Sequence, residues 1–374
     1  VGGPRDGAAA GAAKEIDLTG TVILPSLVNT HTHLELSGLR AQVPPAANLP
    51  MWVRQVFARA TEVGLDEGEV VRAVRELHAA GVGLVGDITN TMMSVDPLVR
   101  SPVAAVVFKE LLGFNQADPQ AVVSRELAAM AECLRHGSSE INKTNVRLQL
   151  GAHAPYSVSP GLFQAIRDAV GAGPLCVHLA ESFEELMFLR SGTGPWRAVL
   201  EERGRWEPKW EPFDAGPVAY LERLGWITSR SVVVHGVHLT DGELKRLADV
   251  GATLVTCPRS NHWTGAGTPP IKRFYASGVR VAVGTDSLAS SPDLSVFAEL
   301  AEIRRLASNQ AAAALLWSAT RAGAEALGWF NRGAIAKGME ASLISVRCAP
   351  TVEDVEEYLV SGIASEDVRW LDES

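Results

Sequence analysis

Cysteine is scarce in this chain, with four residues in 374 (Cys133, Cys176, Cys257 and Cys348) and no Cys-x-x-Cys pair. A disulfide framework needs denser pairing, so these read as reduced core thiols of a cytoplasmic protein. No apolar run approaches the ~20 residues of a membrane helix, and no secretory signal is expected at the start of the chain. Charge of one sign never accumulates. The net charge of -9 is spread without long acidic or basic runs, which argues against a nucleic-acid footprint and against an anionic membrane surface. Internal repeats and low-complexity linkers are missing as well. The partner left to expect is a small-molecule substrate, with a homodimer left open.

What the chain does have is apolar content, 47% of 374 residues, enough for either one large domain or one with a small satellite. Short apolar runs alternate with amphipathic segments. Strands are expected at Val22 to Thr30, Val82 to Ile88, Val103 to Phe108, Val146 to Leu150, Leu175 to Val177, Ser231 to Val234, Thr253 to Thr256 and Val279 to Val283. Helices are expected at Met51 to Val63, Asp66 to Ala80, Pro119 to Leu134, from near Ser159, and over 293 to 307 and 309 to 327. Repeated strand–helix units mean a parallel sheet. Eight of them over this length fit an α/β fold, a distorted TIM (β/α)8 barrel over 25–332, better than an open doubly wound sheet. Residues 1–24 and 333–374 are expected to form a small β-domain from both chain ends. In it, Ile16 to Leu18 would pair with two short strands between 333 and 349. Residues 1 to 13, mostly Gly and Ala, read as a loop, and the opening Val leaves a natural start upstream open. Trp196, Trp206 and Trp210 fall in an insertion, 191–214, that either packs on the barrel or covers its mouth.

Candidate chemistry begins at His31-Thr32-His33, where the first apolar run ends. Side chains at i and i+2 of a strand share a face, so both imidazoles reach one point. An isolated His-x-His is more often a pair of surface histidines. Here His178, His235 and Asp286 each end a further apolar run. His31, His33, His178 and Asp286 suit one divalent metal ion, zinc first and iron as the alternative, with room left for a water, as catalytic sites have. Glu181, three residues past His178, is the acid/base candidate, and His235 is placed to touch the water. Catalytic roles are therefore assigned to Glu181, His235 and Asp286.

At this point the chain resembles the amidohydrolase superfamily. The matching pieces are Leu24-Pro25-Ser26-Leu27-Val28-Asn29-Thr30-His31-Thr32-His33, His178-Leu179-Ala180-Glu181, His235-Gly236-Val237-His238-Leu239 and Gly284-Thr285-Asp286. The resemblance implies the distorted barrel with a small β-sandwich. It lies with the mononuclear branch of aminohydrolases and chlorohydrolases, in which the glutamate matching Glu181 shuttles protons. Dinuclear members use a carbamylated lysine, for which Lys109 is the one candidate. Within the branch, His33-Leu34-Glu35-Leu36-Ser37, Gly86-Asp87-Ile88, Glu110-Leu111-Leu112-Gly113, Cys257-Pro258-Arg259-Ser260-Asn261 and Asp286-Ser287-Leu288-Ala289-Ser290 look like the aminofutalosine deaminases of menaquinone biosynthesis.

That likeness implies hydrolysis of an amino-substituted purine with release of ammonia. Substrate contacts are expected from Glu35 and Ser37 beside the metal strand, from His153 near the purine, and from Arg259 through a bidentate pair with a benzoate. For Arg259 a purely structural ion pair is an equal alternative, and Asp87 and Glu110 read as loop braces. The competing functions are guanine or methylthioadenosine deamination, a chlorohydrolase, an imidazolonepropionase-like ring opener, and a non-catalytic scaffold. The scaffold ranks last because no candidate ligand is missing.

Overall fold

The structure, a computed structural model, describes residues 16–136 and 145–371. The loop expected over residues 1 to 13 lies outside them. Among the described residues, three strands stand apart in a small sheet and eight run parallel.

The eight are β2 (Leu27–Thr32), β3 (Val82–Thr89), β4 (Ala104–Leu111), β5 (Val146–Ala152), β6 (Leu175–Leu179), β7 (Ser231–His235), β8 (Thr253–Thr256) and β9 (Arg280–Val283). Most are buried along their whole length, as expected for a parallel sheet covered on both faces. Alternation splits their side chains into two layers. Val106, Phe108, Cys176, Val232, Val234 and Ala282 cluster on the inside, with Leu327 and Trp329. Val107, Val177, Val233, Leu254 and Val281 face outward and pack against helical residues such as Val74, Leu77, Ile166, Leu244 and Leu300. The helix Glu67–Ala79 shows why the outer layer forms. Asp66 caps it by accepting from Gly68 N, and Val70, Ala73, Val74 and Leu77 recur on its buried face.

The barrel consists of two four-stranded ladders, β2-β3-β4-β5 and β6-β7-β8-β9. They meet at two seams with few but well-placed bonds. At one, His178 N donates to His153 O (2.8 Å). At the other, Thr285 N and Asp286 N both donate to His31 O (3.1 Å each), and the buried Asn29 amide exchanges bonds with Thr285 (2.7 and 3.1 Å). Gly284 makes the second seam possible: a Cβ there would lie 2.8 Å from both His31 Cβ and His31 O.

The small sheet is antiparallel: β1 (Thr21–Pro25) pairs with β10 (Leu343–Arg347), which pairs with β11 (Val368–Trp370). It uses both chain ends as expected, as one three-stranded sheet among the described residues, but its strands are partly different ones. The first strand is Thr21–Pro25 rather than Ile16 to Leu18. Of the two strands expected between 333 and 349 only the second forms, because Gly333 and Gly338 sit at positive φ in turns (82° and 85°). Val368–Trp370 was too short to stand out. The single helix expected over 309 to 327 is two, Ala312–Ser318 and Arg321–Ala326. The break at Thr320 leaves Ala319 O free to accept Val28 N of the first barrel strand (2.8 Å).

The 191–214 insertion packs. Trp196 is buried and stacked on Tyr156 (3.8 Å between centroids), and Trp206 and Trp210 lie against Phe114 and Phe188. The four cysteines are unpaired. No helix among the described residues is long and apolar enough to cross a membrane.

Candidate active site

The side chains expected to act together meet at the C-terminal mouth of the barrel. His31 Nε2 lies 3.3 Å from His178 Nε2. Asp286 Oδ1 lies 3.6 Å from His33 Nε2 and 3.9 Å from His31 Nε2. One ligand atom from each of His31, His33 and His178 fits within a 4.8 Å cluster, and Glu181, His235 and Asp286 form a second such group. Backbone geometry helps to aim them. Ala180, His235 and Asp286 adopt φ of 50°, 75° and 58°, a left-handed conformation that costs about 1–3 kcal/mol in a non-glycine residue and gathers at functional sites. Each follows or ends a barrel strand, so the turn starts where the ladder stops.

The electrostatics suit a divalent cation. Burial, reinforced by neighbouring imidazoles, holds His31 and His178 well below the usual histidine range, so both keep a free nitrogen lone pair. Burial opposes ionisation of Asp286, but His33, His31 and His235 together bring it down to about 2. Neutral imidazoles converging with an ionised carboxylate are the donor set of a catalytic zinc-type site. Neighbouring groups orient these donors. His178 Nδ1 meets His153 O (3.1 Å), an acceptor that keeps its proton on Nδ1 and leaves Nε2 turned to His31, and Glu110 Oε1 lies 3.5 Å away. Asp286 accepts from Ser260 Oγ (2.5 Å) and Ser287 N (2.8 Å).

Beside this set, Glu181 Oε1 lies 3.5 Å from His235 Nε2. Asn261 Nδ2 donates to His235 Nδ1 (3.0 Å), which leaves the His235 proton on the nitrogen facing Glu181. Burial raises Glu181 well above the usual carboxyl range, with Asp286 and Glu185 adding to the effect. A carboxyl so placed is suited to hold and pass on a proton near neutral pH.

The expected substrate contacts fare differently. His153 stays partly exposed, with Nδ1 against Ser157 Oγ (2.5 Å) and its ring 5.1 Å from that of His178. Ser37 is buried in the short turn Leu34–Leu39, and its hydroxyl has no hydrogen-bond partner among the described residues. Glu35 turns its carboxylate to the end of β3 and the loop after it. Its two oxygens accept from Thr89 Oγ1 (2.7 Å), Asn90 N (2.8 Å), Thr91 N (3.0 Å) and Thr91 Oγ1 (2.6 Å). Arg259 is likewise committed. Its Nε donates to Glu299 Oε1 (2.6 Å), and its terminal nitrogens to Asp293 (2.8 to 3.2 Å). The fork expected to meet a benzoate is therefore closed on two acids of the same chain. Lys109 binds Asn90 O and faces Glu126 at 3.5 Å, so it does not bridge the histidines.

Sequence reasoning gave Glu110 only a bracing role, quoted Ser260 and Asn261 without a role at this mouth, and missed Glu185. Glu110 stood at a strand end and was the most legible of them. The others lie in helical turns whose closeness to the site only the closed barrel creates.

Residues 22–362 match the amidohydrolase family. An aminodeoxyfutalosine deaminase of Deinococcus radiodurans is 34% identical over 302 residues, covering 77% of this chain and 69% of the relative. A 5-methylthioadenosine/S-adenosylhomocysteine deaminase of Halobacterium salinarum is 28% identical over 375 residues, covering 95% and 80%. The crystal structure of Helicobacter pylori aminofutalosine deaminase with methylthio-coformycin superposes with a TM-score of 0.76 at 27% identity, covering 91% of this chain and 82% of that one. With that match along nearly its whole length, over a parallel barrel with its acids and histidines gathered at one mouth, the chain belongs to the amidohydrolase family, hydrolases of carbon–nitrogen bonds.

Proposed function

We propose that this chain is a hydrolytic deaminase of an adenine-bearing nucleoside, with 6-aminodeoxyfutalosine as its substrate. The observation that carries this reading is Glu181 beside His235, at 3.5 Å, next to a set of donors fit for one metal. His31, His33, His178 and Asp286 would hold that ion, zinc by the character of the donors. When bound, it lowers the pKa of water enough to provide a nucleophile near neutral pH.

The chain's own residues then manage protons. Glu181 takes the proton released as the water oxygen bonds to purine C6 and delivers it to ring N1. Glu181 then takes the proton of the hydroxyl now bonded to C6 and passes it to the exocyclic nitrogen, the C6–N bond breaks, and ammonia leaves as C6 becomes a carbonyl. His235, with its proton on Nε2, steadies the attacking oxygen. Asp286, ionised and held by Ser260 and Ser287, accepts a hydrogen bond from the same water.

Methylthioadenosine deamination is the second reading. It is favoured by the closed Arg259 fork, which removes the one carboxylate partner that set aminodeoxyfutalosine apart. Comparing kcat/KM for aminodeoxyfutalosine, methylthioadenosine and adenosine decides between them, with ammonia release as the readout. Preference for methylthioadenosine would overturn the first assignment, and absence of ammonia from every purine would overturn both. Elemental analysis is expected to give about one metal equivalent per chain, as for a single catalytic site. Two tightly held ions would refute the mononuclear arrangement.

A further inference from the structure

The turn that carries Glu181 is gripped by a second buried acid. Glu185 is fully buried two residues into the helix Phe183–Ser191. Its Oε1 accepts from Ala180 N (2.8 Å) and its Oε2 from Glu181 N (3.1 Å). Its own N–H is capped by Ser182 Oγ (3.3 Å), which also lies 3.4 Å from Trp196 Nε1.

The same chain contains the ordinary version of this motif. In the helix Asp241–Val250, Glu243 reaches back to the amide of the cap residue itself, Thr240 (3.0 Å), as capping boxes do. Glu185 reaches one and two residues further, past the cap and onto the link between β6 and the helix. That link includes Ala180, whose φ of 50° is one that a side-chain-bearing residue adopts only when its surroundings impose it. From the other side, His238 N donates to Ala180 O (2.9 Å). The backbone between His178 and Glu181 is thus held at both faces, and the hold on Glu181 itself comes from Glu185.

We propose that Glu185 is a positioning residue for the reaction: by binding the Ala180 and Glu181 amides it fixes where the Glu181 carboxyl sits relative to His235 and the purine. It touches neither substrate nor metal and acts only through Glu181. The proposal rests on the deaminase reading above, and the test separates the two.

The test is a double-mutant cycle on purified, metal-loaded protein, with E185A measured alone and combined with E181Q. Misplacing a catalytic group by about 1 Å costs up to about 10²-fold, so E185A is expected to lower kcat by about 10- to 100-fold with KM and metal content close to wild type. In the E181Q background the same change should alter kcat by no more than about twofold, because residues that act through one another lose a shared contribution only once and their effects do not add. E185Q, which keeps the shape and one acceptor oxygen, should fall between wild type and E185A and show the same loss of effect beside E181Q. It replaces E185A if the alanine variant does not fold. Equal losses in both backgrounds, or an E185A or E185Q enzyme with wild-type kcat, would overturn the positioning role while leaving the deaminase reading in place. Wild-type turnover by E181Q alone would remove Glu181 from the chemistry and the positioning role with it, whereas a wild-type enzyme that releases no ammonia from any purine would overturn the deaminase reading itself.

Discussion

Glutamine at position 181 is expected to lower kcat by 10²-fold or more. Gln matches the shape of Glu and still reaches His235, but it cannot take a proton from water or hand one to the purine. Positioned acid–base groups contribute typically 10²- to 10⁴-fold, and in the proposed mechanism one carboxyl serves two transfers. The proposed ligands His31, His33, His178 and Asp286 are untouched, so metal content should hold at the wild-type level and KM should change little. Activity assays paired with metal analysis check this. Near-normal turnover would remove Glu181 from the chemistry, and loss of metal along with activity would mean that the carboxyl supports the site rather than the proton transfers.

The second large effect concerns stability. Arg259→Met is expected to cost about 3–5 kcal/mol, the usual penalty for removing one partner of a buried ion pair. Glu299 is fully buried, and burial pushes its carboxyl up to about 7 even against the guanidinium beside it. Without Arg259 it escapes by binding a proton. A buried acid whose folded pKa lies above its unfolded value contributes stability at low pH and loses it as pH rises through the folded pKa. The variant's deficit should therefore be larger at pH 8 than at pH 6, read from urea unfolding at both. In the remaining folded enzyme, kcat/KM for aminodeoxyfutalosine and for adenosine should fall by the same factor. A selective loss on the carboxylate-bearing substrate would show that the fork opens to a ligand after all.

Arg259 also marks the boundary of what could be read before folding. The strand ends were legible because each candidate ligand closes an apolar run, and alternation along a strand is a short-range rule that His31 and His33 obey within three residues. The partners of Arg259 lie 40 and 34 positions further along the chain, and nothing local reveals that they curl back upon it. Glu35 makes the same point: its place beside His33 was legible, while its partners at the end of β3 and the loop after it lie over fifty residues on. The break at Thr320 was hidden too, since Ala-rich sequence continues through it and the interruption is explained by the Val28 amide of the barrel strand, which donates to Ala319 O. In each case the sequence reported residue type and position along an element correctly, and the closure of the barrel decided the partner.

The two seams give the barrel a mechanical property. His31 lies in one ladder with His33 just past the end of β2, His178 lies in the other with Asp286 just past the end of β9, and the backbone bonds that join the two halves at the mouth involve His178, His31 and Asp286 themselves. An ion held by these four side chains would act as a rivet through both halves, and whatever binds only the closed form shifts the opening equilibrium by mass action. Amide hydrogen exchange offers the view of it. The amides of His178, Thr285 and Asp286 should exchange more slowly in the metal-loaded enzyme than after chelation, while amides in the middle of each ladder, such as Val106 and Val233, keep the same protection in both.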